Sequence, residues 1–448
     1  MGRNIAIIGS GPSGIYAAEA LAKSSSDNSI YIIESLFCPY GLVRSGVAPD
    51  HPKIKEVAKL FDKTLARENV HFLANLEIGK DIEVSELENY FDAIIFCTGA
   101  HHDRSLGISG ENLKNVETAT NFVGWYNAHP WFEDKVFALD LENVAVIGQG
   151  NVAVDVSRIL LKDVNALKTT DISYKALEAL EKSKVKNVYM VGRRGPLQAA
   201  FTDKELRELG EIPDVFVNVN PEDLQLTPEE QEWLESSPKG LQKNYSILKD
   251  FSERTPNGES KNLHIKFFLS PVEFVGDSSV EEIKLVKNTL TGDLSSRKAV
   301  ASEIEEKLPV GLVFKSVGYK GRPIKGLPFD DTKGVFNHIS GKITGEFEYP
   351  KFFTSGWIKR GPSGVVGTNK ADSVETVNTL LAEIDSLPKP KKSIADFLEY
   401  LNSKELDLID FERWKLIDQE EIRRGNGIAP RKKFLNNKEA LNFLKTTQ

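Results

Sequence analysis

The sequence predicts an α/β chain made of two similar parallel-sheet units, one inserted into the other. Three observations predict it: two glycine-rich turns with the same surroundings, opposite charges on the strands that follow them, and two look-alike apolar strands far apart in the chain.

The turns lie in IAIIGSGPSGIYAAEAL, residues 5–21, and VAVIGQGNVAVDVSRIL, residues 144–160. Each runs from a short apolar strand through glycines into a helical apolar pattern, the context in which such a motif signals a dinucleotide site. In the first, Gly9 makes the tight turn, Gly11 admits a pyrophosphate, and Gly14 lets helix and strand pack closely. Amides after Gly11 then face the phosphates. The next strand, IYIIES, ends at Glu34, 25 positions beyond Gly9. A carboxylate there accepts from both hydroxyls of a ribose and repels a 2′-phosphate, so the first site should hold FAD or NAD and not NADP.

The second turn reads Gly148, Gly150, Ala153, and its next recognisable strand, NVYMVGRRG, ends in Arg193 and Arg194. Two guanidiniums can clamp a phosphate dianion. At roughly 1.5–3 kcal/mol per charge-assisted contact, the pair could favour NADPH over NADH by roughly 10²–10⁴. The second site should hold NADP(H).

YFDAIIFCTGAHHDR, residues 90–104, and LPVGLVFKSVGYKGRP, residues 308–323, each read as the strand that closes one nucleotide unit. Residues 349–384 then supply a strand, the pair Gly356 and Trp357, a turn from Gly361 to Gly364, and a helix whose first amides can face a ligand. The first domain is thus resumed late in the chain. The expected organisation is two Rossmann-like dinucleotide-binding domains: an FAD domain in residues 1–101 and 329–390, interrupted by an NADP domain in residues 102–328. Residues 391–448, after the linker SLPKPKKS, are expected to form a tail of two or three amphipathic helices packed on the FAD domain. Residues 162–184 read as a polar, helix-prone insert, and residues 214–262, acidic and broken by Pro221, Pro228 and Pro238, as a surface excursion.

Composition narrows the class. A chain of 448 residues with 27% charged and 40% hydrophobic residues is that of a soluble multidomain protein. A net charge of −8 gives no general reason to bind nucleic acid, and a basic docking surface must be local. Cys38 and Cys97 fit a reducing compartment and provide neither a disulfide framework nor a thiolate metal site. The first strand begins where a targeting segment would lie, so a non-secreted protein, or a mature form without its presequence, is expected.

The strings GLVRSGVAPDHPKIK, GQGNVAVDVSRILL, VGRRGPLQAAFTDKELREL, GWIKRGPSGVVGT and DFERWKLIDQEEIRRG span nearly the whole chain and resemble the adrenodoxin reductase family, NADPH-dependent ferredoxin reductases among the glutathione-reductase-like flavoproteins. The resemblance implies tightly bound FAD in the first domain, NADPH as co-substrate in the second, and delivery of single electrons to a [2Fe–2S] ferredoxin. By position it implies FAD contacts at Ser13, Glu34, Leu42, Ile78, Trp357, Gly364, Val365 and Val366. It implies NADP contacts at Gln149, Gly150, Asn151, Val152, Arg193, Arg194 and Glu205, with Gly364 near the nicotinamide. Downstream use in P450 or iron–sulfur assembly routes, a monomer, at most peripheral membrane contact, and a mitochondrial-matrix or bacterial-cytoplasmic location follow as expectations.

The same family places His51 and Asp155 in a hydrogen-bond network that could relay the flavin proton, as histidine titrates in the useful range. Alternatively His51 stabilises the turn APDHP and Asp155 pairs locally. Trp357 either contacts flavin or simply packs. Arg207 belongs to the partner-docking face by analogy; where a dense basic run is expected, SSPKGLQKN offers only Lys239 and Lys243, which could equally be solvated charge. A disulfide reductase would need a closely spaced cysteine pair, which the chain lacks. A nicotinamide-responsive flavoprotein that does not turn over a ferredoxin is the alternative from another class.

Overall fold

A computed structural model describes residues 2–346 and 349–447. Two compact units emerge: one comprises residues up to 104, 127–133 and 318 onward, the other residues 105–126 and 134–317.

The first unit is built on a seven-stranded sheet. Asn4–Ile8, bearing the first glycine turn, pairs in parallel with Ser29–Glu34 on one side and Ala93–Phe96 on the other. Val70–Ala74 extends the sheet beyond Ser29–Glu34, and the late strand Phe352–Thr354 joins in parallel beside Ala93–Phe96. A parallel sheet must be covered on both faces, and side-chain alternation divides its strands accordingly. Ile5, Ile7, Ile30, Ile32 and Ile95 pack into one core with the helix Pro12–Ser24, while Ala6, Ile8, Tyr31, Ile33, Ile94 and Phe96 enter another.

The second unit repeats the plan. Asn143–Ile147, leading into the second glycine turn, lies between Leu312–Lys315 and Asn187–Val191, all parallel. Lys261–Lys266 follows, then Val215–Val219 at the edge. One face carries an antiparallel meander of Leu269–Val275, Glu282–Thr291 and Lys298–Pro309, whose Leu269, Phe274, Ile283, Leu285 and Leu308 pack with Ala145, Ile147 and Val191.

Two details differ from expectation. Residues 214–262 are not a surface excursion: Val217 and Val219 are buried in a sheet strand, and the helices Pro228–Ser236 and Lys239–Ser252 form the crossover back to the strand Lys261–Lys266. Pro228 starts a helix instead of breaking one, because proline suits the first turn and Thr227 with Glu230 completes a capping box. Secondly, residues 102–104, 127–133 and 318–328, expected in the NADP domain, group with the first unit. Tyr319–Lys320 pairs with His102–Asp103, and the Lys433 ammonium donates to the Asn127 carbonyl oxygen.

The tail provides three helices, Ile394–Ser403, Phe411–Arg424 and Asn437–Thr447. Ile409 bridges to Ala74 at the sheet edge, and the Trp414 indole donates to the Tyr40 hydroxyl at 3.1 Å. Among the described residues no helix is long and apolar enough to cross a membrane.

Candidate functional site

The three glycines of the first turn answer three different constraints. Gly9 has φ +107°, and a Cβ there would come within 2.5 Å of the Cys97 carbonyl oxygen. At Gly14 a Cβ would lie 2.0 Å from the Gly9 carbonyl oxygen, inside the strand–helix contact. Gly11 is different: a Cβ would meet only the Gly41 Cα, at 3.9 Å. The space above Gly11 is open to a ligand, and the helix Pro12–Ser24 begins beneath it with no side-chain cap on its free amides.

Glu34 ends the Ser29–Glu34 strand as a buried carboxylate with four protein donors. Ser10 gives its amide at 3.0 Å and its hydroxyl at 2.6 Å; Leu36 gives its amide at 3.0 Å and Ser35 its hydroxyl at 3.2 Å. Two of these are rotatable hydroxyls, which can turn aside for a ribose diol.

Leu42 opens the short helix Leu42–Ser45 directly after Gly41, whose φ of +49° and close approach to Gly11 admit no side chain. Ile78 is half-buried and bridges to Ile82. From the late segment, Gly356 packs on Ser13, where a Cβ would come within 2.4 Å of the Ser13 hydroxyl oxygen. The Ser373 hydroxyl donates to the Ser13 carbonyl oxygen at 2.9 Å, fastening the helix Thr368–Glu383 to the first turn. Trp357 stacks on Tyr319, with centroids 6.1 Å apart and planes at 13°, and donates its Nε1 proton to the Ser363 carbonyl oxygen at 3.1 Å. Gly364 and Val365 are exposed and Val366 half-buried.

The second turn follows the same logic. Gly148 has φ +139°, with a Cβ limit of 2.2 Å to the Ser316 carbonyl oxygen; Ala153 is fully buried; at Gly150 a Cβ would meet nothing within 4 Å. Gln149 donates to the Lys266 carbonyl oxygen at 2.9 Å, and Asn151, first residue of its helix, accepts the Thr202 amide at 2.8 Å. Val152 follows on that helix, half-buried.

Arg193 is exposed and Arg194 half-buried, and neither has an ion-pair partner among the described residues. Burial and the neighbouring Arg193 cation push the Arg194 guanidinium below its ordinary value. Their backbone is held: Asn288 donates to the Arg193 carbonyl oxygen at 2.8 Å and the Phe268 amide to that of Arg194 at 3.1 Å. Two guanidiniums without ion-pair partners on a fixed loop are able to receive an anion.

Asp155 and Glu205 both meet Arg158, which is 2% exposed, at 2.7 and 3.4 Å. The local pairing expected for Asp155 as an alternative is therefore present. His51 lies in the first unit, 8% exposed, at the N-cap of Pro52–Lys55 with its carbonyl oxygen accepting the Ile54 amide. Arg207 is exposed; Lys239 bonds Gln242, and Lys243 pairs with Asp203 at 3.6 Å. Both cysteines are buried free thiols, pushed up to about 12 chiefly by burial, and unsuited to thiolate chemistry.

Sequence reasoning did not single out Ser10, Gly41, Tyr319, Asn288 or Arg158. Gly41 and Tyr319 stand inside strings that drew attention for other reasons. The roles of Ser10 and Asn288, and the contact of Arg158 with Glu205, depend on partners 24 to 95 positions away, which no local pattern marks; only the pairing of Arg158 with Asp155, three residues apart on one helix, is local.

Comparison with known proteins agrees with this geometry. The pyridine nucleotide-disulphide oxidoreductase family model matches residues 3–211. The chain is 42% identical to NADPH-ferredoxin reductase FprA of Mycobacterium leprae, over 98% of its own length and 97% of the relative's. It is 37% identical to the mitochondrial NADPH:adrenodoxin oxidoreductase of Bos taurus, over 98% and 92%. Among solved structures, Mycobacterium tuberculosis FprA in complex with NADPH aligns with a TM-score of 0.95 at 40% identity, covering 99% of this chain and all of that one.

Proposed function

The chain belongs to the NADPH-ferredoxin and adrenodoxin reductase family, and from that premise we propose that it takes a hydride from NADPH and passes electrons singly to a [2Fe–2S] ferredoxin. The observation that carries this reading is the charge asymmetry on equivalent strands: a buried carboxylate at Glu34 in one unit, two unpaired guanidiniums at Arg193 and Arg194 in the other.

The residues fit the two groups. Gly11 leaves room for the FAD pyrophosphate above the uncapped amides of Pro12–Ser24, and Glu34 receives the adenosine ribose. Ser13, Leu42, Ile78, Trp357, Gly364, Val365 and Val366 complete the flavin contacts in this reading. Gly150 leaves the matching room for NADPH; Arg193 and Arg194 take its 2′-phosphate, and Gln149, Asn151, Val152 and Glu205 line its path. FAD, when bound, supplies the exchange between a two-electron hydride and one-electron carriers. What the chain contributes is mainly positioning and a dry environment. His51 is assigned to the flavin proton, while Asp155 is held by the buried Arg158. Sulfur redox chemistry has no place, because both thiols are buried and protonated at neutral pH.

Its compartment in this reading is the mitochondrial matrix in a eukaryotic cell and the cytoplasm in a bacterial one. The test is anaerobic stopped-flow. NADPH should bleach the flavin absorbance, and a [2Fe–2S] ferredoxin should then be reduced at catalytic rates. Bleaching without onward transfer would favour the non-transferring flavoprotein, and a protein without flavin absorbance after reconstitution would overturn the reading.

A further inference from the structure

The loop that carries Arg193 and Arg194 has little of its own to hold its shape. Gly192 and Gly195 stand at its two ends, where a Cβ would come within 1.9 Å of Gln149 and 2.6 Å of the Phe268 ring, and glycine leaves the backbone at its freest. Between them sit two like charges that have no ion-pair partner among the described residues. What fixes the loop is contact with the antiparallel meander. The Leu269 amide donates to the Gly192 carbonyl oxygen at 3.0 Å, the Phe268 amide to that of Arg194 at 3.1 Å, and the Asn288 side-chain amide to that of Arg193 at 2.8 Å. Only the last of the three comes from a side chain.

Asn288 is out of keeping with its surroundings. It is 5% exposed on the strand Glu282–Thr291, where the other buried side chains, Ile283, Leu285 and Val286, are apolar apart from the half-way positions between them. The pairing with Lys298–Pro309 shifts register between Val286 and Asn288, and there Asn288 is buried while Lys287 and Thr289 on either side are exposed. A buried amide costs stability unless its hydrogens are taken up. Both are: one by the Arg193 carbonyl oxygen, the other by the Ser270 hydroxyl at 2.9 Å. The Asn288 backbone amide donates to the Phe268 carbonyl oxygen at 2.6 Å, so the side chain is anchored beside the same residue whose amide meets Arg194.

We propose, on the reading of Arg193 and Arg194 as the 2′-phosphate site, that Asn288 is a positioning residue for cofactor selection: its grip on the Arg193 carbonyl oxygen keeps both guanidiniums where the 2′-phosphate arrives. A side chain 95 positions further along the chain thereby narrows the conformations of the loop before the dianion binds. A preorganised pair loses less freedom on binding than a mobile one.

The experiment uses the FAD-loaded full chain and two probes that differ only in the 2′-phosphate, adenosine 2′,5′-bisphosphate and adenosine 5′-monophosphate, titrated beside steady-state kinetics with NADPH and NADH. Asn288→Leu, which fills the space without a donor, and Asn288→Ala, which leaves a gap, should each weaken the bisphosphate about fivefold or more and leave the monophosphate within about twofold of wild type. The preference for NADPH over NADH should fall by a similar factor, through KM and not kcat. Ser270→Ala, which removes the other partner of Asn288 and leaves its bond to Arg193, should keep the wild-type preference. In the Arg193→Ala, Arg194→Ala background, Asn288→Leu should change the ratio between the two probes no further, because a residue that acts through the arginines is coupled to them. Equal losses on both probes, the same loss in Ser270→Ala, or a further loss of preference in the absence of the arginines would overturn the positioning role. So would a preference that follows the melting temperatures of the two Asn288 variants instead of the missing donor. Were the double arginine variant itself to keep the wild-type ratio, the arginines would not be the phosphate site, whatever Asn288 does.

Discussion

The two nucleotide units share a plan and differ in how complete each is by itself. In the first, the Glu34 carboxylate, proposed to meet the ribose, is buried and already satisfied by Ser10, Ser35 and Leu36. In the second, Arg193 and Arg194, proposed to meet the 2′-phosphate, have no ion-pair partner among the described residues, and burial and the Arg193 charge weaken the hold of Arg194 on its proton. A buried, preorganised site loses little on accepting its ligand and holds it tightly. An open pair of like charges gains much when a dianion arrives and is exposed enough to release it. The contrast is that between a resident cofactor and a co-substrate that must leave after every turnover.

That contrast can be broken most sharply at the arginines. Arg193→Ala with Arg194→Ala should raise the KM for NADPH by about 10² or more while leaving NADH use nearly unchanged, as measured by steady-state kinetics with both cofactors. An equal loss with both would show that the pair is not a phosphate clamp.

On the other side, Glu34→Ala should weaken FAD binding by about ten- to a hundredfold, because the ribose loses its acceptor and the buried Ser10 amide loses its partner. Flavin retained per chain after dialysis checks this; stoichiometric yellow protein would count against the ribose role.

The glycines offer a finer cut. Gly150→Ala should leave the melting temperature within a few degrees of wild type, because a Cβ there meets no protein atom, yet should impair NADPH binding. Gly148→Ala should be strongly destabilising, with φ +139° and the Ser316 carbonyl oxygen in the way. Thermal melts set beside NADPH titrations separate a glycine kept for a ligand from one kept for the fold.

The smallest effect concerns stability alone. Glu111 in the second unit is half-buried, and its loss of water by itself would raise its carboxyl value, but the Lys315 ammonium at 2.6 Å and donors from Ser105, Leu106 and Gly107 bring it down to about 2. A carboxyl lowered on folding contributes stability that is complete above its unfolded value, about 4.3, and is lost as pH falls through about 2. Glu111→Gln should flatten the loss of stability between those two values, as read by denaturant melts across the acid range.

Much was legible because it is local. A glycine turn, the strand before it and the charge on the next strand lie within one stretch of chain, and each is dictated by close backbone approach or by the sign of a charge. The pair of return strands was visible for the same reason, since an apolar run ending in glycine reads alike in both places. The strand Val215–Val219 was hidden because its short apolar run lies between Pro213 and Pro221 in an acidic stretch, and its partner Lys261–Lys266 is more than forty positions away.

What the sequence by itself determined is the double nucleotide plan and the sign of the charge at the end of each strand that follows a glycine turn, since each is written in a short run of chain that can be read in place. Tertiary structure decided the rest: which donors saturate Glu34, that Asn288 fixes the arginine loop, that Arg158 reaches Glu205, and that residues 127–133 join the first unit. Those facts depend on chain segments far apart in sequence meeting in space, and a buried hydrogen bond leaves no periodic or compositional trace in either partner.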